Sequence, residues 1–145
     1  MKVTIEQDVK YKDPEILVRC ETIDDTLHDI ISYIGIAGKS VLGEQQGETT
    51  FIPLKDVYYF ESVDNKVFIY TGNQVYKSSA KLYLLEEQLS GTYFTRISKT
   101  TILNLKIMKS VRSGRNYTLE ATLANGEKVL ISRHYVKKVK EKLGV

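Results

Sequence analysis

From Val41 to Ile131 the sequence is cut into short apolar-alternating segments by turn signals a few residues apart, and this spacing most limits the fold. Phe51–Leu54, Asp56–Ser62, Lys66–Tyr70 and Gln74–Lys77 each read as a strand. Gly72-Asn73 and Asn125-Gly126 are tight-hairpin dipeptides, because their residues tolerate the left-handed backbone that two-residue loops require. Pro53 cannot donate to a ladder and marks an edge or a break. Beyond Tyr93 come further β segments through Leu105 and over Ile107–Val111. Tyr117, Leu119, Ala121 and Leu123 then alternate on one face, before a return strand over Glu127–Ile131.

Helical periodicity occurs in only three places. Ile23, Leu27, Ile30, Ile31 and Ile34 form an apolar stripe opened by Thr22 and closed by Gly35 and Gly38. His28 lies off that stripe and is expected to face water. Leu82, Leu85 and Leu89 mark a second helix, with Ser79 as its cap, Glu86 and Glu87 outward, and Gly91 as its stop. Ser132 caps a third, 133–143, with Val136, Val139 and Leu143 inward and Arg133, His134, Lys137, Lys138, Lys140 and Lys142 outward. Before all of these, residues 2–10 and Glu15–Cys20 read as two strands joined by a turn at Asp13-Pro14. The expected architecture is α+β and mainly β. A two-strand-plus-helix element over 1–44 precedes a body of short, mostly antiparallel sheets over 45–145.

Composition narrows the function. The 145 residues include one cysteine, Cys20, so no internal disulfide forms, and its apolar neighbours suggest a buried strand position. No apolar run is long enough to span a membrane, and the polar start is no signal peptide, so the cytoplasm is the expected compartment. Residues 1–45 hold five Lys/Arg against nine Asp/Glu, whereas 95–145 hold twelve against three. Such polarity suits a chain that turns one end toward a polyanion and keeps the other away. There is no phosphate-cradling glycine loop, no His or Cys pair at metal spacing, and no nucleophile motif. No enzyme, cofactor or metal is therefore expected.

Three stretches carry a family resemblance. They are Val57-Tyr58-Tyr59-Phe60-Glu61-Ser62-Val63-Asp64-Asn65-Lys66, the run from Phe94 through Arg96, Ser98 and Lys99 to Asn104-Leu105, and Asn125-Gly126-Glu127 through Ser132-Arg133-His134-Tyr135. With the Leu82/Leu85/Leu89 helix between the first two, residues 51–143 resemble the LytTR DNA-binding domain. The resemblance implies a stack of short β-sheets that sets loops into two successive major grooves and the minor groove between them. The contacting residues would be Asn65 and Lys66, Ser98 and Lys99, and Arg133 and His134, and Arg96 stands where the family usually has Arg. The position of His134 more often carries Arg, and that of Thr101 a larger apolar residue. Well-known members carry a receiver domain in front, for which 45 residues are too few. Stand-alone members are similar to bacterial regulators held in check by a small membrane protein.

The expected function is sequence-specific duplex recognition by a homodimer that regulates transcription, with no small-molecule substrate. Lysine and arginine in turns reach phosphates and base edges. Two other readings compete. The ten tyrosines would suit a single-stranded DNA or RNA binder that stacks bases. The Ile23–Ile34 stripe would suit a protein-interaction adaptor.

Overall fold

The computed structural model describes all 145 residues, Met1–Val145. Ten strands and three helices follow one another: α1 (Asp25–Ala37), β1 (Ser40–Gln45), β2 (Glu48–Pro53), β3 (Val57–Val63), β4 (Lys66–Thr71), β5 (Val75–Ser78), α2 (Leu82–Gln88), β6 (Phe94–Arg96), β7 (Thr101–Asn104), β8 (Met108–Ser113), β9 (Leu119–Leu123), β10 (Lys128–Ile131) and α3 (Arg133–Leu143). A seven-stranded sheet runs β2-β1-β5-β4-β3-β7-β6, and a three-stranded sheet runs β10-β9-β8. Every strand pair is antiparallel.

The alternation along each strand divides the interior into two layers. On one face of the large sheet, Phe60, Val67, Ile69 and Ile102 pack against Leu82, Leu85 and Leu89 of α2, as the helix spacing predicts. On the other face, Tyr59 and Leu103 meet Leu119, Ala121, Leu123 and Ile131 of the small sheet and Val139 of α3. Asn104 bridges elements below the surface. It is 1% exposed, its amide donates to the Val57 carbonyl at 2.8 Å, and its Oδ1 accepts from the Lys106 N–H at 2.9 Å.

Several expectations are corrected. Residues 1–24 hold no strand, and Val3, Ile5 and Val9 are at least 80% exposed. Alternation makes a strand only where a partner edge is supplied, and no edge in this chain pairs with these residues. The turn falls at Asp8–Tyr11, where the Tyr11 N–H reaches the Asp8 carbonyl, and not at Asp13-Pro14. Cys20 is exposed. Asp24, two residues past Thr22, caps α1 by accepting from the Leu27 N–H.

The helix docks through its small residues, not the centre of its apolar stripe. Ser32 and Gly35 are buried, while Leu27, Ile30, Ile31 and Ile34 are only half covered. A Cβ on Gly35 would sit 3.1 Å from the Ser40 carbonyl oxygen and 3.3 Å from the Phe51 ring, so a larger residue would push the helix and the hairpin apart by a few tenths of an ångström. His28 is half-buried with Nδ1 3.2 Å from the Ser79 hydroxyl, which leaves Ser79 off the start of α2. Strand β1 straddles the 44/45 boundary and pairs with β2, so the turn after it, Gln46-Gly47, lies inside the sheet's own hairpin.

Candidate nucleic-acid interface

The three predicted loops are tied to one another by backbone hydrogen bonds. Asp64 and Asn65 form the two-residue turn between β3 and β4, both left-handed with φ of 51° and 63°, so the hairpin closes tightly and Lys66, exposed, opens β4. The next loop, 97–100, is pinned from inside by Ile97, which is 1% exposed, and closed by the Ile97 N–H on the Thr101 carbonyl. Its Ser98 hydroxyl accepts from the Thr100 N–H, leaving Lys99 at the tip, exposed. The Ser62 N–H donates to the Thr100 carbonyl at 2.8 Å, and the Ser132 N–H donates to the Ile97 carbonyl at 2.9 Å. The first bond joins the β3–β4 hairpin to the 97–100 loop. The second joins that loop to the start of α3, where Arg133 and His134 are exposed.

Lys66, Lys99 and Arg133 have no carboxylate within ion-pair distance. The three salt bridges use Arg96, Arg112 and Lys128 instead. Three unneutralised cations on linked loops make a surface that attracts a polyanion.

Arg96 differs from the other predicted site residues. Its side chain is 14% exposed, and its Nε meets Glu86 Oε2 at 3.2 Å. Its guanidinium also donates to the Lys99 carbonyl. It therefore lies behind the loop, joining the tip to α2. Lys142, expected outward, turns back instead. Its Nζ donates to the Thr92 and Phe94 carbonyls at 3.0 and 2.9 Å, and burial followed by the charge of Lys138 lowers its pKa.

The tyrosines divide between the interior and the surface, where Tyr11, Tyr33, Tyr83 and Tyr117 are exposed. Tyr59 and Tyr70 stack inside, with centroids 4.4 Å apart. The Tyr59 hydroxyl donates to Glu127 at 2.6 Å, and burial followed by that hydrogen bond raises its pKa far above the usual phenol value. Burial and then the Glu61 charge raise that of Tyr70. Tyr117, expected on the inner face with Leu119, is 87% exposed and outside the strand at φ 63°.

One feature escaped the sequence reading. Residues 106–119 contain Lys106, Lys109, Arg112 and Arg115 and no acid, a cation run that strand alternation and turn signals do not single out.

Residues 47–144 match the family model described as the LytTr DNA-binding domain. The chain belongs to the LytTr DNA-binding domain family. Its fold agrees with the solved LytTr DNA-binding domain of a response regulator from Bacillus cereus, at a TM-score of 0.69 and 22% identity over 74% of this chain and 98% of that one. It is 36% identical to the sensory transduction protein LytT of Enterococcus faecalis over 63% of this chain and 38% of that protein. It is 29% identical to an uncharacterised HTH-type transcriptional regulator of Staphylococcus aureus over 100% of this chain and 99% of that protein. Strands separate every pair of helices in the LytTr fold seen here, so this chain holds no helix-turn-helix. No three His, Cys, Asp or Glu side chains group as metal ligands, and no helix is long and apolar enough to cross a membrane.

Proposed function

We propose that this chain is a cytoplasmic transcriptional regulator that reads duplex DNA with the three linked loops. The support is the pair of backbone hydrogen bonds, Ser62 to Thr100 and Ser132 to Ile97, which keep Lys66, Lys99 and Arg133 on adjoining loops. Lys99 and Arg133 are the residue types that most often pair with guanine, each contact worth roughly 1–3 kcal/mol of discrimination. Asn65, Lys66, Ser98 and His134 supply further donors to phosphates or base edges. Competition between a duplex selected from a random pool and either of its single strands tests this. Preferential binding of the duplex, weakening steeply with salt, is expected. Equal or tighter binding of the single strand would transfer the chain to the stacking class.

In this reading Arg96 positions Lys99 and does not itself touch DNA. Arg96→Ala is expected to weaken duplex binding about tenfold, with the salt dependence unchanged, because no phosphate contact is lost. Glu86→Ala is expected to weaken binding in the same direction. A shallower salt dependence in Arg96→Ala, with tighter binding in Glu86→Ala, would mean that Arg96 reaches the DNA directly.

The same reading makes residues 1–44 the element through which two copies meet and regulation enters. The support is the exposure of Val3, Ile5, Val9, Ile16 and Leu17, together with the half-covered stripe of α1. The net negative charge of residues 1–45 disfavours contact with DNA. Removing residues 1–21 is expected to convert a dimer to a monomer in sedimentation, with any fall in melting temperature limited to the lost coupling to dimerisation. An unchanged oligomeric state would leave the segment to another partner, such as the small membrane protein that the family resemblance implies.

A further inference from the structure

We propose that the loop 114–118 is a fourth contact with the DNA, in which Arg115 and Tyr117 hold the phosphate backbone beside the stretch read by the other three loops. The inference rests on the duplex-binding reading and extends its surface by one element.

Position is the first argument. Ser113 of β8 pairs with Leu119 of β9, and Leu119 pairs with Ile131 of β10. The β9 end of the loop is thus set beside Ile131, one residue before Ser132 and two before Arg133, and its β8 end lies one strand further out. The 115–117 turn lies against α3. Since Ser132 is bonded to Ile97 and Thr100 to Ser62, the loop continues a row that already runs 62–66, 97–100, 132–134.

Charge is the second. Arg112 is neutralised by Glu120 at 2.7 Å, whereas Arg115 is exposed and faces no carboxylate. A guanidinium presents a planar fork that fits phosphate oxygens, so a free arginine at the end of a cationic row suits a phosphate more than a base of fixed identity.

Backbone conformation is the third. Asn116 and Tyr117 are both left-handed, with φ of 55° and 63°. Asparagine tolerates this region, but a bulky side chain there is uncommon. The loop nonetheless holds it. The Gly114 N–H donates to the Thr118 carbonyl at 2.9 Å, and the Arg115 carbonyl accepts from both the Thr118 N–H and the Thr118 hydroxyl. That bracing puts Tyr117 into solvent at 87% exposure, where it packs against nothing that would repay the conformation within this chain. Held outward beside Arg115, its hydroxyl can donate to a phosphate and its ring can lie against a sugar.

The test uses the full chain and a duplex selected from a random pool, with binding measured across a salt series. Arg115→Ala is expected to weaken binding about three- to tenfold and to make the dependence of log affinity on log salt shallower by roughly 0.9. Tyr117→Gly is expected to weaken binding by a similar factor while the melting temperature holds or rises by about 1–4 °C, since glycine takes this backbone region freely. Lys99→Ala on the same duplex is the internal control. If Arg115→Ala binds like the parent with the same salt slope while Lys99→Ala loses affinity, the fourth contact is refuted and the three-loop reading stands. If Tyr117→Gly melts lower and binds normally, the tyrosine serves the fold and its role here is refuted. If neither the parent nor any variant prefers the duplex, both readings fall together.

Discussion

The variant Lys66→Ala, Lys99→Ala, Arg133→Ala is expected to bind its preferred duplex about 100- to 10,000-fold more weakly than the parent while folding normally. Each removed cation takes away roughly 1–3 kcal/mol of contact with base or phosphate, and because the three losses fall on linked loops they sum to less than full additivity, about 3–5.5 kcal/mol in all. The salt dependence is expected to become shallower by up to about 2.7, one phosphate's share for each residue whose contact is ionic. Stability is expected to change little, because all three side chains are exposed and none joins an ion pair. Anisotropy titrations at two salt concentrations, with a urea melt beside them, read both quantities. A variant that binds within threefold of the parent would remove these loops from the interface.

The largest expected effect on stability comes from Asn104→Leu, a change that keeps the branching and heavy-atom count at a site 1% exposed. The asparagine supplies one donor and one acceptor at once, to the Val57 carbonyl and the Lys106 N–H. It thereby ties the end of β7 to the start of β3 and to the turn that leads into β8. Leucine fills the space but leaves both backbone groups without that partner, at about 1–3 kcal/mol each. A loss of roughly 2–5 kcal/mol is expected, read as a lower urea midpoint with an unchanged slope. A loss below about 1 kcal/mol would show that water or relaxation satisfies both groups, and that Asn104 is not a strut of the fold.

The parts of this fold that could be read from the sequence are those fixed by neighbours in the chain. Asn125-Gly126 marks the β9–β10 turn because glycine is needed there: Gly126 has φ of 88°, and Asn125 accepts from the Glu127 N–H. Leu82, Leu85 and Leu89 lie where their spacing puts them, buried under the large sheet. The β1–β2 hairpin was less visible, since its turn is Gln46-Gly47 and glutamine is an unusual occupant of a left-handed position with φ of 51°. The N-terminal alternation misled for a different reason. Periodicity states which face an edge would bury, but only a partner makes a strand, and pairing is decided elsewhere in the fold. The stripe on α1 misled similarly, because the helix seats Gly35 against Ser40 and Phe51 of the β1–β2 hairpin and turns Ser32 to Gln88 of α2.

Within the site, the identity of the three loops came from resemblance, and their adjacency from two hydrogen bonds between residues 35 or more positions apart. Nothing local encodes such bonds. Arg96 and Arg115 show the same limit in opposite directions. In the sequence each is a cation near a turn, yet one is folded onto Glu86 and the Lys99 carbonyl while the other is free.

The most direct measurement of the central claim is a lysine-modification footprint of the full chain, with and without its selected duplex. Bound DNA should shield Lys66 and Lys99 and leave Lys2, Lys10 and Lys12 reactive, because only the former pair belong to the linked loops. Shielding of the N-terminal lysines with Lys66 and Lys99 still fully reactive would contradict it.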